Sequence, residues 1–212
     1  MYQPKAHEIT NTATLHQLIQ SHPLGSLVTL GKDGLTANHI PFLIDSGRGE
    51  HGTLRAHVAR ANPVWQDFSA MTESLIIFQG PDAYISPTWY PSKHQTGKAV
   101  PTWNYAVVHA HGLLTVHEDP AWIFQLVSEL TNIHESSQQL PWKVTDAPKD
   151  YIDKLLGAIV GIEIPITRLE GKWKMSQNRS DADRLGVAAG LQSKNTEASI
   201  AAADMVLKSL RG

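Results

Sequence analysis

The chain has 212 residues, 42% of them apolar, a formal net charge of −2 and a pI near 6.6. That length supports one sizeable core, expected as one domain with extensions. The charge lacks the basic surplus with which a free-standing nucleic-acid binder neutralises phosphate, and the absence of cysteine excludes disulfides, thiolate metal sites and cysteine nucleophiles.

The N-terminal stretch MYQPKAHEIT has no basic segment leading into an apolar run, so no secretory signal is read there. No apolar run is long enough to span a bilayer. The expectation is a soluble cytoplasmic protein.

NTATLHQLIQSHPLG reads as an amphipathic helix with Asn11 or Thr12 as cap, a stripe of Leu15, Leu18 and Ile19, and a stop at Pro23. LGSLVTL reads as a buried strand, GKDG (31–34) as hairpin-turn chemistry, and LTANHIPFLID as the returning strand. TLRAHV is a third strand. Leu54, Ala56 and Val58 share one face, and Arg55, His57 and Ala59 share the other. Asn62 suits a helix cap with Pro63 at the first helical position, and Arg60 falls at the junction. Bases at a strand end beside a helix start make an anion site; the alternative is a surface strand whose arginines pair with carboxylates.

PVWQDFSAM then reads as a short helix and SLIIFQG as an apolar strand. A short strand follows within PDAYI, and 87–99 reads as a surface loop, with the alternative of a cover that admits an anion through Lys93, His94 and Lys98. Residues 100–117 read as one long strand. In it Trp103, Tyr105 and Val107 share a face with His109 and His111, a face expected to be buried or at an interface. DPAWIFQLVSELTNIHES opens on an Asp-Pro helix start, YIDKLLGAI is a short helix, and 160–175 is strand material. The tail is helical, capped at Asn195 or Thr196. A helix-turn-helix around Gly190 is disfavoured, because EASIAAADMVLKSL has almost no base-reading side chains.

Strands joined by short turns argue for an α+β protein on an antiparallel barrel or curved sheet. No phosphate-cradling glycine loop and no nucleophile elbow occur. His109 and His111 have the spacing of metal ligands on a strand, against the commoner fate of structural histidines. PTWNY (101–105) can pack on a planar ring and read its edge, and GKWKMSQNR (171–179) offers donors to phosphate or carbonyl oxygen; an ordinary core strand and a solvated strand end are the respective alternatives.

Taken in order, PLGSLVT (23–29), ANHIPFLID (37–45), LRAHVARANPVW (54–65), IIFQGPDAYISPTWY (76–90), VPTWNYAVVHAHG (100–112) and KWKMSQNR with DRLGVAAGL (172–191) resemble the PaiB family of FMN-binding negative transcriptional regulators. That family is similar to the flavin-binding split barrels. The resemblance implies an α+β fold built on an antiparallel split β-barrel with flanking helices and a helical C-terminal tail. It implies residues 1–175 as an FMN-binding domain with inserted helices. Residues 176–212 would then be an extension packed on the barrel or on the partner subunit. It also implies a homodimer holding FMN between subunits. Arg55, His57 and Arg60 would hold the phosphate, with backbone near Ala56 and Val58 at the flavin edge and Asn38 and His39 on the neighbouring strand. Thr102, Trp103, Asn104, Lys174 and Gln177 would contribute from the other side or the partner. No residue stands out as catalytic, and whether the protein is an enzyme is left open. Three readings remain: a regulator carrying FMN, a flavin-dependent oxidoreductase acting on a small molecule, and a metal enzyme using His109 and His111. Direct DNA contact is not expected.

Overall fold

The computed structural model describes residues 1–210, so the end of the tail, Arg211 and Gly212, lies outside the described residues. The strands are β1 (Glu8–Ile9), β2 (Leu24–Gly31), β3 (Gly34–Pro41), β4 (Leu43–Asp45), β5 (Thr53–Ala59), β6 (Ser74–Ile85), β7 (Thr102–Gly112), β8 (Thr115–His117), β9 (Ile159–Pro165) and β10 (Arg168–Lys174). The helices are α1 (Thr12–Ser21), α2 (Pro91–Thr96), α3 (Pro120–Glu135), α4 (Lys149–Gly157), α5 (Asp181–Gln192) and α6 (Glu197–Lys208). Hydrogen-bonded neighbours form one sheet in the order β1-β10-β7-β6-β2-β3 and a second in the order β4-β5-β9-β8. The architecture is therefore the expected α+β arrangement on antiparallel sheets.

Packing divides the chain into two compact units. The first holds Met1–Leu18, Gln79–His109 and Glu170–Gly212; the second holds Ile19–Phe78 and Ala110–Leu169.

In the second unit, β2 and β3 form the hairpin expected around 31–34, in register from Leu24↔Pro41 to Gly31↔Gly34. Gly34 takes φ +110°, which side-chain-bearing residues rarely adopt. The returning strand is not continuous. Phe42 N–H donates to Pro23 C=O at 2.9 Å and leaves the β2 ladder, and Leu43–Asp45 then pairs with β5 in the other sheet. Buried Phe42 meets Phe78 edge-on with ring centroids 5.8 Å apart, which fixes that corner. The segment after Pro63 makes a single 3₁₀ turn, Pro63–Trp65, instead of the expected helix. Its polar groups are used elsewhere: Asp67 Oδ1 accepts Lys32 N–H at 2.9 Å, and Ser69 N–H donates to Leu30 C=O at 2.8 Å.

Helix α3 begins as expected, with Asp119 accepting Ala121 N–H and Pro120 at the first position. It buries Ile123, Leu126 and Leu130 at helical spacing. The long strand expected over 100–117 breaks after Gly112, where a Cβ would lie 2.2 Å from Pro165 C=O. The chain then re-pairs as β8 along β9.

In the first unit, β6 continues through Pro81 to Ile85, so the short strand within PDAYI is the end of β6. The loop read over 87–99 contains a 3₁₀ turn at Pro87–Trp89 and then α2, which ends where Gly97 adopts φ +68°. On β7 the sealed face carries Asn104, Ala106, Val108 and Ala110, each fully buried. The face of Trp103, Tyr105 and Val107 is half-open, with Trp103 54% exposed, so the chain itself does not bury it. Thr196 caps α6 by accepting Ser199 N–H at 3.2 Å.

Candidate functional site

Strand β5 sits at the centre of the site. Its inward residues, Leu54, Ala56 and Val58, are buried core. Its outward residues face β9 and β8 across an antiparallel register: Arg55↔Glu163 and Thr115↔Glu163, then His57↔Gly161 and His117↔Gly161. One sheet face thus carries Arg55, His57, Glu163 and His117.

Each of these charged groups has a defined environment. Arg55 Nη2 donates to Glu129 of α3 at 2.6 Å. Burial works to raise the Glu129 pKa, but hydrogen bonds from Arg55 and Gln125 and the Arg55 charge outweigh it, so the carboxyl sits below its ordinary value. Buried Glu163 receives Arg48 in a two-pronged pair at 2.7 and 2.8 Å. His117 stacks flat on Trp122 of α3. Arg60 donates to Glu118 at 2.6 Å and to Gly157 C=O at 2.9 Å, and its guanidinium lies 5.5 Å from the Trp65 ring centroid.

Three buried polar atoms on this face make no hydrogen bond among the described residues, one of them His117 Nε2, which lies 3.8 Å from Glu163 Oε1. The other two are Arg55 Nε and His57 Nδ1. Burial also lowers the His57 pKa below its ordinary 6.5, which keeps the imidazole neutral at pH 7. Orphaned buried donors and acceptors cost about 1–3 kcal/mol each, and a ligand recovers that cost.

The remaining expected residues of this unit lie on β3. Asn38 Oδ1 accepts from Asn62 Nδ2 at 2.8 Å, while Asn62 Oδ1 accepts Val64 N–H at 3.0 Å, so this pair ties β3 to the turn after β5. His39 Nδ1 lies 3.0 Å from Ser26 Oγ across the hairpin.

The first unit gathers the other group. Lys174 Nζ donates to Thr102 Oγ1 and, at 2.8 Å, to Trp103 C=O. Asn104 is fully buried and exchanges hydrogen bonds with Ser176 at 3.0 and 3.2 Å. Ser176 has φ +63°, so Asn104 fixes a left-handed turn. Gln177 locks the same turn, accepting Met175 N–H at 2.6 Å and donating to Trp173 C=O at 2.5 Å. Trp103 meets Tyr84 edge-on with ring centroids 6.1 Å apart. Of the metal-spaced pair, both half-buried on β7, His109 belongs to this unit and His111 to the second, where its Nδ1 lies 3.1 Å from Arg168 Nη2.

Reading the sequence missed Glu118, Glu129 and Glu163, the partners of the basic cluster. Glu129 directly precedes the buried Leu130 of α3, a position at the edge of the apolar stripe. That edge placement was the available signal.

Residues 1–168 match the family described as "Putative FMN-binding domain". The chain belongs to this FMN-binding family. The FMN-binding protein is 32% identical to the Protease synthase and sporulation protein PAI 2 of Bacillus subtilis, over 92% of this chain and 90% of that one. This places it with the PaiB-type members. It is 36% identical to an uncharacterized protein of Emericella nidulans, over 97% of this chain and 96% of that one. Among solved structures its fold is similar to that of the FAD and heme binding protein from Mycobacterium smegmatis (TM-score 0.57, 17% identity, 87% of this chain and 80% of that one). It is also similar to the flavocytochrome Anf3 from Azotobacter vinelandii (TM-score 0.56, 10% identity, 79% and 69%). The cofactor of the FMN-binding protein is FMN, and the orphaned Arg55 and His57 atoms fit an acceptor-rich anionic group. No helix among the described residues is long and apolar enough to cross a membrane.

Proposed function

We propose that the protein is a cytoplasmic PaiB-type regulator that binds FMN through the outward face of β5. The observation that carries this reading is the pair of unpartnered buried atoms, Arg55 Nε and His57 Nδ1, on that face. Arg55 and Arg60 hold the phosphate, and neutral His57 contributes a hydrogen bond without charge. The backbone of Ala56 and Val58 lies at the flavin edge, with Asn38 and His39 on the neighbouring strand. Thr102, Trp103 and Lys174 act from a second copy of the chain in a homodimer, and Asn104 and Gln177 support them by holding the turn at Ser176. Exposed Leu35 and Trp103 (76% and 54%) support such self-association. Residues 1–175 serve as the binding domain and 176–212 as the extension packed on it or on the partner.

Bound FMN supplies one- and two-electron redox chemistry. The chain binds the phosphate, orients the ring and sets the hydrogen bonding around it. The test is the visible absorption of purified protein with added FMN, followed through desalting. Retained flavin that is lost in Arg55→Ala with Arg60→Ala supports the reading; a chain that retains no flavin overturns it. A flavin-dependent oxidoreductase is the second reading, favoured by a cavity that reaches His57.

A further inference from the structure

The second unit contains a cavity of about 560 Å³ whose walls include Leu24, Pro41, His57, Leu130, His134 and Trp142. A second hollow of about 320 Å³ shares Pro23, Leu130 and His134 with it. Volumes of this order hold a small organic ligand. The walls are mostly apolar, and Trp142 and Leu24 are 45% and 62% exposed, which leaves a large ring and a branched chain at a surface that water otherwise covers.

The polar groups restrict what enters. Among the described residues no lysine or arginine lines the cavity. Its one carboxylate, Glu135, accepts Trp142 N–H at 3.1 Å. His57 contributes an imidazole with its Nδ1 buried and unpartnered. A phosphorylated or carboxylated compound would lose its hydration here and meet no cation, a cost that apolar contact does not recover. A flat neutral compound with a carbonyl oxygen loses little on entry, packs against Trp142 and Leu130, and reaches the His134 imidazole as a hydrogen-bond acceptor, which leaves His57 to the flavin.

We infer that this cavity takes a neutral, planar carbonyl compound of one or two rings, of the quinone class. The inference rests on the FMN-binding reading only in placing the ligand beside the same strand. The pocket is lined within the second unit and is testable without flavin. The absence of cysteine removes the usual thiol trap for a quinone probe.

The experiment is equilibrium dialysis of the full chain against menadione, in parallel with its charged relative 1,4-naphthoquinone-2-sulfonate. Micromolar menadione binding is expected, with the sulfonate at least about tenfold weaker. Thr131 also lines the cavity, and Thr131→Trp, which fills it, should weaken menadione binding by about tenfold while leaving flavin retention unchanged. Leu24→Trp at the exposed wall provides a second block should the first variant fail to fold. Equal binding of the sulfonate, or menadione affinity unchanged in a folded blocking variant, overturns the inference. Flavin retained with no menadione bound also overturns it and leaves the FMN reading standing. Menadione bound with no flavin retained supports the pocket and overturns the FMN reading.

Discussion

His117 and Trp122 stack with ring centroids 4.2 Å apart and planes 6° from parallel. The stack exists because the residue opposite His117 on β9 is Gly161, where a Cβ would lie 2.3 Å from the Trp122 ring. That glycine gives α3 its close approach to the sheet.

Gly161→Ala should therefore lower stability by about 1–3 kcal/mol, the usual cost of overpacking. Urea unfolding checks it. Combining it with Trp122→Leu should recover part of the loss, because the smaller side chain removes the clash; a double variant no better than additive would show that the glycine serves another purpose.

Glu118 and Glu129 hold the guanidinium groups of Arg60 and Arg55, which the proposed site assigns to the phosphate of FMN. The Arg60–Glu118 pair is open to solvent, with side chains 38% and 56% exposed, so breaking it costs about 1 kcal/mol or less. Glu118→Gln should tighten FMN binding by about two- to fivefold. Arg60→Ala should weaken it by about tenfold or more. Riboflavin, which lacks the phosphate, should respond to neither change. Flavin fluorescence titration measures all four quantities.

The neutral His57 predicts a pH dependence of stability. Its folded pKa is lowered by burial, while the unfolded chain titrates near the ordinary 6.5. Below that value the unfolded chain binds the proton first, so stability is full above about pH 6.5 and falls as the pH drops through the folded value. The urea midpoint should be lower at about pH 5.5 than at about pH 7.5. His57→Gln should reduce that difference; an unchanged difference would assign it to other histidines.

Buried Glu163 depends on Arg48, whose own side chain is 53% exposed. Arg48→Met leaves the carboxylate without its two-pronged donor and should cost about 1–2 kcal/mol, below the value for a fully buried pair because solvent reaches the arginine. Arg48→Met with Glu163→Gln should be more stable than Arg48→Met alone, as read by thermal unfolding.

What was legible in the sequence was local. The 31–34 turn, Asn62 before Pro63, Asp119 before Pro120 and Thr196 before α6 each announce themselves within four residues, because caps and turns are short-range hydrogen-bond problems. The six ordered motifs made the family and its FMN legible as well. The partners of the basic cluster were not. Arg55 and Glu129 stand 74 positions apart, and Arg48 and Glu163 stand 115 apart, so only the fold decides that they meet. The switch at Phe42 was hidden for a related reason: an apolar residue reads as strand whichever sheet receives it.

Neither compact unit is a continuous stretch of chain. In the first, β1 pairs with β10, and Lys172 Nζ reaches back 170 positions to Tyr2 C=O. During synthesis the opening segment must wait, unpaired, until β10 has left the ribosome. Closing so long a loop carries an entropic cost that precedes any reward from the contacts. Folding should accordingly finish late and all at once. Trimming from the C-terminal side into β10 would remove the partner of β1 and unsettle a strand encoded at the opposite extreme of the sequence.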